Sequence, residues 1–73
     1  MKETPRLNIK KFADAVYYKY CEDRITVREA GIILGISPAT FSRAINGKMP
    51  DLETFAKCCR WMECKMDDFF TDN

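Results

Sequence analysis

Apolar positions recur with helical period along most of the chain. Ile9, Phe12, Ala13, Val16 and Tyr20 follow the i, i+3, i+4, i+7 spacing of one helix face. They predict a helix over Ile9–Glu22 with Asn8 as its cap, the alternative start being Pro5 with Thr4 capping. Tyr17 and Tyr18 fall off that stripe, and residues 1–7 are expected to form a loose arm. A second helix is predicted from Val27, because Thr26-Val27-Arg28-Glu29 forms a capping box. In such a box the threonine hydroxyl accepts from the backbone N–H of Glu29, and the Glu29 carboxylate reaches back to the Thr26 N–H. Ala30, Gly31 and Leu34 cluster on one side of this helix at 100° per residue. Gly31 lowers helix propensity, so its place in a helix predicts close approach of the following helix.

Gly35 supplies a left-handed residue that stops the second helix and turns the chain. Ser37 caps a third helix and Pro38 takes its first position, where a missing N–H costs nothing. Phe41 and Ala44, at i and i+3, point inward. Ala39, Thr40, Ser42 and Arg43 are left for solvent or a ligand. Gly47 ends the helix and Pro50 prevents its resumption. A fourth helix starts behind Asp51 as cap, with Leu52, Phe55, Cys59 and Met62 as its inner face. A short fifth helix is expected at about Met66–Phe70, with Met66 and Phe69 on the core.

Seventy-three residues make one small domain. A chain of this length buries only about 60% of its unfolded surface, so association is a common source of added stability. No linker, repeat or low-complexity tract divides it. No apolar run approaches the ~20 residues of a membrane span, and the N-terminus lacks a signal-peptide core. A cytoplasmic location and no membrane association are expected.

The net charge of +1 says little, but its distribution is uneven. Residues 24–48 hold Arg24, Arg28, Arg43 and Lys48 against Glu29 alone, a local +3. Residues 49–73 hold three bases and six acids, a local −3. The cations thus gather on and beside the second and third helices. Of the four cysteines, Cys58 and Cys59 are adjacent and diverge by 100° on a helix. With Cys21 and Cys64 they match no zinc-ligand spacing, and there is no histidine. They are expected to pack as small hydrophobes, and no metal or cofactor is expected.

The spacing Gly31, Gly35, Phe41, together with Ser37, Ser42-Arg43 and Asn46-Gly47-Lys48, resembles the lambda-repressor-like, or Cro/Xre, family of helix-turn-helix DNA-binding domains. Pro50-Asp51-Leu52-Glu53-Thr54-Phe55, followed by Cys59-Arg60-Trp61-Met62, looks like the fourth helix of small members. The resemblance runs from about Phe12 to Phe70. It implies an all-α, five-helix lambda-repressor-like domain whose second and third helices form the helix-turn-helix. The family usually has a glycine where this chain has Glu63; the fourth helix is then expected either to run on or to hold Glu63 under strain.

The resemblance also implies a site. The family's base-contacting positions fall on Pro38, Ala39, Thr40, Ser42 and Arg43. Pro38 and Ala39 offer no side-chain donor or acceptor, which excludes bidentate adenine recognition there. Ala39 and Thr40 can press on a thymine methyl. Arg43 is the strong reader, able to bond guanine O6 and N7 together. Phosphate contacts are expected from Thr26 with the N-terminal amides of its helix, from Ser37, and from Asn46, Lys48 and the Met49 amide. Val27 replaces a glutamine common in the family, and Arg28 is expected to take over its backbone contact.

Apolar residues left over by five short helices are Trp61, Phe70, Ile32, Ile33, Tyr17 and Tyr18. A homodimer contact through Trp61, Phe69 and Phe70 is expected, since this fold commonly reads two half-sites ~34 Å apart. The leading reading is a DNA-binding transcriptional regulator, a repressor without a sensing or cleavable domain in this chain. The alternative is a protein-binding helix-turn-helix module, such as an antitoxin or anti-repressor component, using Ile32, Ile33 and Trp61. An enzyme is disfavoured: there is no phosphate-binding glycine loop, and Asp67-Asp68 and Glu22-Asp23 diverge as helix neighbours.

Overall fold

The computed structural model describes residues 6–71. Four α-helices carry the fold: α1 (Ile9–Glu22), α2 (Val27–Leu34), α3 (Pro38–Ile45) and α4 (Leu52–Met62). Each is started by a polar cap whose side chain accepts a backbone N–H three residues on. Asn8 accepts from Lys11, Thr26 from Glu29, Ser37 from Thr40 and Asp51 from Thr54. The Thr26–Glu29 box is complete, with Glu29 N to Thr26 Oγ1 at 3.0 Å and Thr26 N to Glu29 Oε1 at 2.8 Å.

The five-helix count is corrected to four. Met66–Phe69 is a single 3-10 turn, because four residues close too few i→i+4 bonds to hold an α-helix against fraying. It is followed by a strand pair absent from the expectation, β1 (Arg6–Leu7) with β2 (Phe70–Thr71), antiparallel, Leu7 opposite Phe70. The arm expected over 1–7 is therefore paired at Arg6 and Leu7; residues 1–5 lie outside the described residues. Asn8 N donates to Phe69 O at 2.6 Å and Lys11 Nζ to Asp68 O at 2.8 Å, which fasten the start of α1 to the 3-10 turn.

The core is built around Phe12, Val16, Ala30, Leu34, Phe41, Ala44, Phe55, Cys58, Cys59 and Phe69. Phe12 meets Phe55 edge-on at 5.0 Å and Phe69 at 5.5 Å between ring centroids, the arrangement that sets a ring's positive edge on a negative face. Ile9 and Tyr20, expected on the buried stripe of α1, are half-buried at its ends.

The inner face of α4 is Thr54, Phe55, Cys58 and Cys59, with Met62 half-buried. Leu52, expected inside, is 73% exposed. It is the first residue of the helix, and helical side chains lean toward the N-terminus, so its own points off the end of the packed region. The helix ends at Glu63 in the left-handed conformation, φ 57°, one of the two outcomes anticipated. Glu63 N bonds Arg60 O and Cys64 N bonds Cys59 O, a Schellman motif in which a side chain stands where glycine is unstrained. Burial pushes the thiols of Cys58 and Cys59 up, to about 11 and about 12. Cys21 departs from the expected core role and is exposed.

Candidate nucleic-acid interface

The turn between α2 and α3 is held by backbone. Gly35, at φ 73°, places its N–H on Gly31 O and Ile32 O, and Ile36 N bonds Gly31 O at 2.9 Å. A Cβ on Gly31 would stand 2.8 Å from Ile36 O and 3.3 Å from Pro38 N. The backbone of the turn and the first residue of α3 therefore lie directly against α2, which fixes the angle between the two helices. Phe41 and Ala44 then seat α3 in the core, Phe41 packing edge-on against Tyr20 at 5.4 Å and Trp61 at 6.0 Å.

With that face occupied, α3 turns its other side outward. Pro38, Ala39 and Arg43 are exposed, while Thr40 and Ser42 are half-buried on its flanks. Polar atoms along the helix are linked. Ser37 Oγ and Thr40 Oγ1 share a hydrogen bond of 2.8 Å, Thr40 N donates to Ser37 Oγ at 3.1 Å, and Arg43 Nη2 donates to Thr40 Oγ1 at 3.3 Å. At the far end Asn46 Nδ2 donates to Ser42 O at 2.8 Å. Gly47, at φ 84°, turns the chain, and Lys48 N closes on Arg43 O at 3.0 Å.

This turn brings Lys48 beside Arg43. The two line a cleft of about 260 Å³ with Thr40, Met49, Asp51 and Thr54. Two cations thus face one carboxylate, and that carboxylate is already committed to capping α4. Thr26 and Arg28 stand apart from this group, at the start of α2, and among the described residues no hydrogen bond joins them to α3. Both backbone and hydroxyl of Thr26 are engaged by Glu29, so the Glu29 carboxylate, rather than an open set of amides, occupies the positive end of α2. The Thr26 hydroxyl keeps its own hydrogen to donate.

Of the residues expected at a dimer contact, Phe69 is buried at 4% exposure between Phe12 and Phe55. It is a core residue, not a surface one. Trp61 is half-buried, stacked edge-on against Phe41 with Lys19 Nζ 5.5 Å from its ring centre. Phe70 is 41% exposed, and Tyr17, Tyr18, Ile32 and Ile33 are all open to solvent. Met49, 69% exposed, lines the Arg43–Lys48 cleft with its side chain, where the sequence pointed only to its amide, and Leu52 is 73% exposed at the start of α4. By period Leu52 fits the inner stripe of its helix, and Met49 lies in a loop where no period reports on its side chain.

A family model described as the Cro/C1-type HTH DNA-binding domain matches residues 22–73, from the last turn of α1 to the C-terminus. Comparison with curated proteins and with solved structures finds no match.

Proposed function

Since this chain belongs to the family of Cro/C1-type helix-turn-helix DNA-binding domains, we propose that it is a sequence-specific transcriptional regulator that represses by covering a promoter operator. The observation that carries the reading is the exposed Arg43 on the outward side of α3, beside Lys48. Arg43 reads guanine through O6 and N7, the bidentate contact for which a guanidinium fork is shaped. Ala39 and Thr40 contact the neighbouring base edges, Pro38 sets the depth of the helix N-terminus, and Ser42 lies toward the flank.

Lys48, Asn46 and Ser37 hold phosphates at either end of α3. Arg28 and the Thr26 hydroxyl hold another from α2. These contacts fix register without reading sequence. The protein acts as a homodimer on two half-sites ~34 Å apart, with Phe70 and the exposed edge of Trp61 at the contact. It works in the cytoplasm on double-stranded DNA, and no helix among the described residues is long and apolar enough to cross a membrane.

In vitro selection from a random duplex library at near-physiological salt tests this, with Arg43→Ala run in parallel. The expected result is an enriched palindrome containing a guanine that the variant no longer selects, at a cost of ~1–3 kcal/mol on the operator. Salt-labile binding without enrichment would sink the proposal and turn attention to a protein partner.

A further inference from the structure

We propose that Thr40 is a positioning residue that aims Arg43 at its base, acting through a hydrogen-bonded chain Ser37–Thr40–Arg43 along α3. The inference rests on the reading of Arg43 as the base-contacting residue. It follows from three distances: 2.8 Å between the Ser37 and Thr40 hydroxyl oxygens, 3.1 Å from Thr40 N to Ser37 Oγ, and 3.3 Å from Arg43 Nη2 to Thr40 Oγ1.

The chain has a fixed direction at one end. A guanidinium only donates, so Thr40 Oγ1 accepts from Arg43 whichever way the hydroxyl hydrogens point. Ser37 Oγ is anchored because it caps α3 by accepting the Thr40 N–H. Thr40 is thus held by its own backbone on one side and holds a flexible side chain on the other. An exposed arginine otherwise samples many rotamers, and ordering it on DNA costs entropy. A guanidinium already tied at one Nη2 hydrogen loses less, and its remaining N–H groups leave an edge free for two acceptors. The 3.3 Å bond is long enough to swing, so the tether biases the fork without clamping it.

The arrangement also changes what Thr40 does. Its oxygen is spent on Ser37 and Arg43, which leaves its methyl for any base contact. The two roles separate cleanly by substitution. Thr40→Val keeps the methyl and removes the acceptor. Thr40→Ser keeps the acceptor and removes the methyl.

The test measures binding to the selected operator, to the operator with the Arg43-dependent guanine replaced, and to a random duplex. The wild type, Thr40→Val, Thr40→Ser, Arg43→Ala and the Thr40→Val/Arg43→Ala double variant are compared. Thr40→Val is expected to lower discrimination at the guanine roughly five- to tenfold, the size of an ordinary hydrogen bond and less than a full one to a charged group, because the 3.3 Å tether acts only by biasing Arg43. A thermal melt that matches the wild type's controls for folding of each variant. Thr40→Ser should keep wild-type discrimination at the guanine, and Thr40→Val should add nothing once Arg43 is gone. If Arg43→Ala loses the guanine but Thr40→Val keeps it, Thr40 does not position Arg43 and the inference falls alone. If Arg43→Ala changes no base preference, the reading of Arg43 falls and takes this inference with it.

Discussion

Gly31 is the residue on which the angle between α2 and α3 depends. Within a helix, alanine is normally worth about 1 kcal/mol over glycine. Here the added methyl would sit 2.8 Å from the Ile36 carbonyl oxygen, and a backbone atom in a hydrogen-bonded turn cannot step aside as a side chain can. The collision should outweigh the propensity gain, so Gly31→Ala is expected to destabilise the fold by about 2 kcal/mol. Urea unfolding checks the sign, and a variant as stable as the wild type would show the turn to be looser than this contact implies. That glycine was legible because it breaks a helical pattern that is otherwise consistent. Thr54 was not: a polar residue one step from Phe55 reads as solvent-facing, yet it is buried at 4% exposure. Its N–H binds the Asp51 carboxylate at 2.8 Å, and a hydrogen bond made across three residues leaves no hydrophobic signature.

Elements with strong local signals were the readable ones. All four α-helices begin at caps whose chemistry is contained within a few residues, so Thr26, Ser37 and Asp51 mark their boundaries locally, and Asn8 is the one of two candidate starts that α1 adopts. The β1–β2 pair joins residues some sixty positions apart through two-residue strands, and no periodicity survives over so short a length. The fourth cap also carries a pH dependence. Hydrogen bonds from Thr54, its hydroxyl first and its backbone N–H second, hold the Asp51 carboxyl below the usual carboxylate range, aided by Lys57 and opposed by desolvation. A lowered folded value means the stabilisation is present above the ordinary value of about 3.9 and is lost as pH falls through the folded one. Asp51→Asn keeps a capping side chain without the charge. Thermal melts over the acid range are expected to show a shallower loss of stability in Asp51→Asn than in the wild type, with little difference at neutral pH. Identical acid limbs would mean that the cap does not contribute to acid unfolding.

At the scale of the whole molecule, what distinguishes a DNA-binding face from a mixed-charge surface is placement rather than sum. The chain carries only +1 overall, with a local −3 over residues 49–73, so long-range attraction to DNA is weak and contacts must come from cations on the right side. Lys48 stands beside Arg43 at the end of α3. Lys10 stands on the exposed side of α1, paired with Asp14 at 3.0 Å. Both substitutions to alanine change net charge by the same amount, and neither removes a core contact. If the charge is read locally, Lys48→Ala releases one fewer condensed counterion on binding. It should then reduce the slope of log affinity against log salt by about one, on operator and random duplex alike. Lys10→Ala should leave that slope in place. Equal reductions from the two would make the electrostatic term a property of net charge, and would remove the reason for assigning the Arg43–Lys48 side of the molecule to DNA.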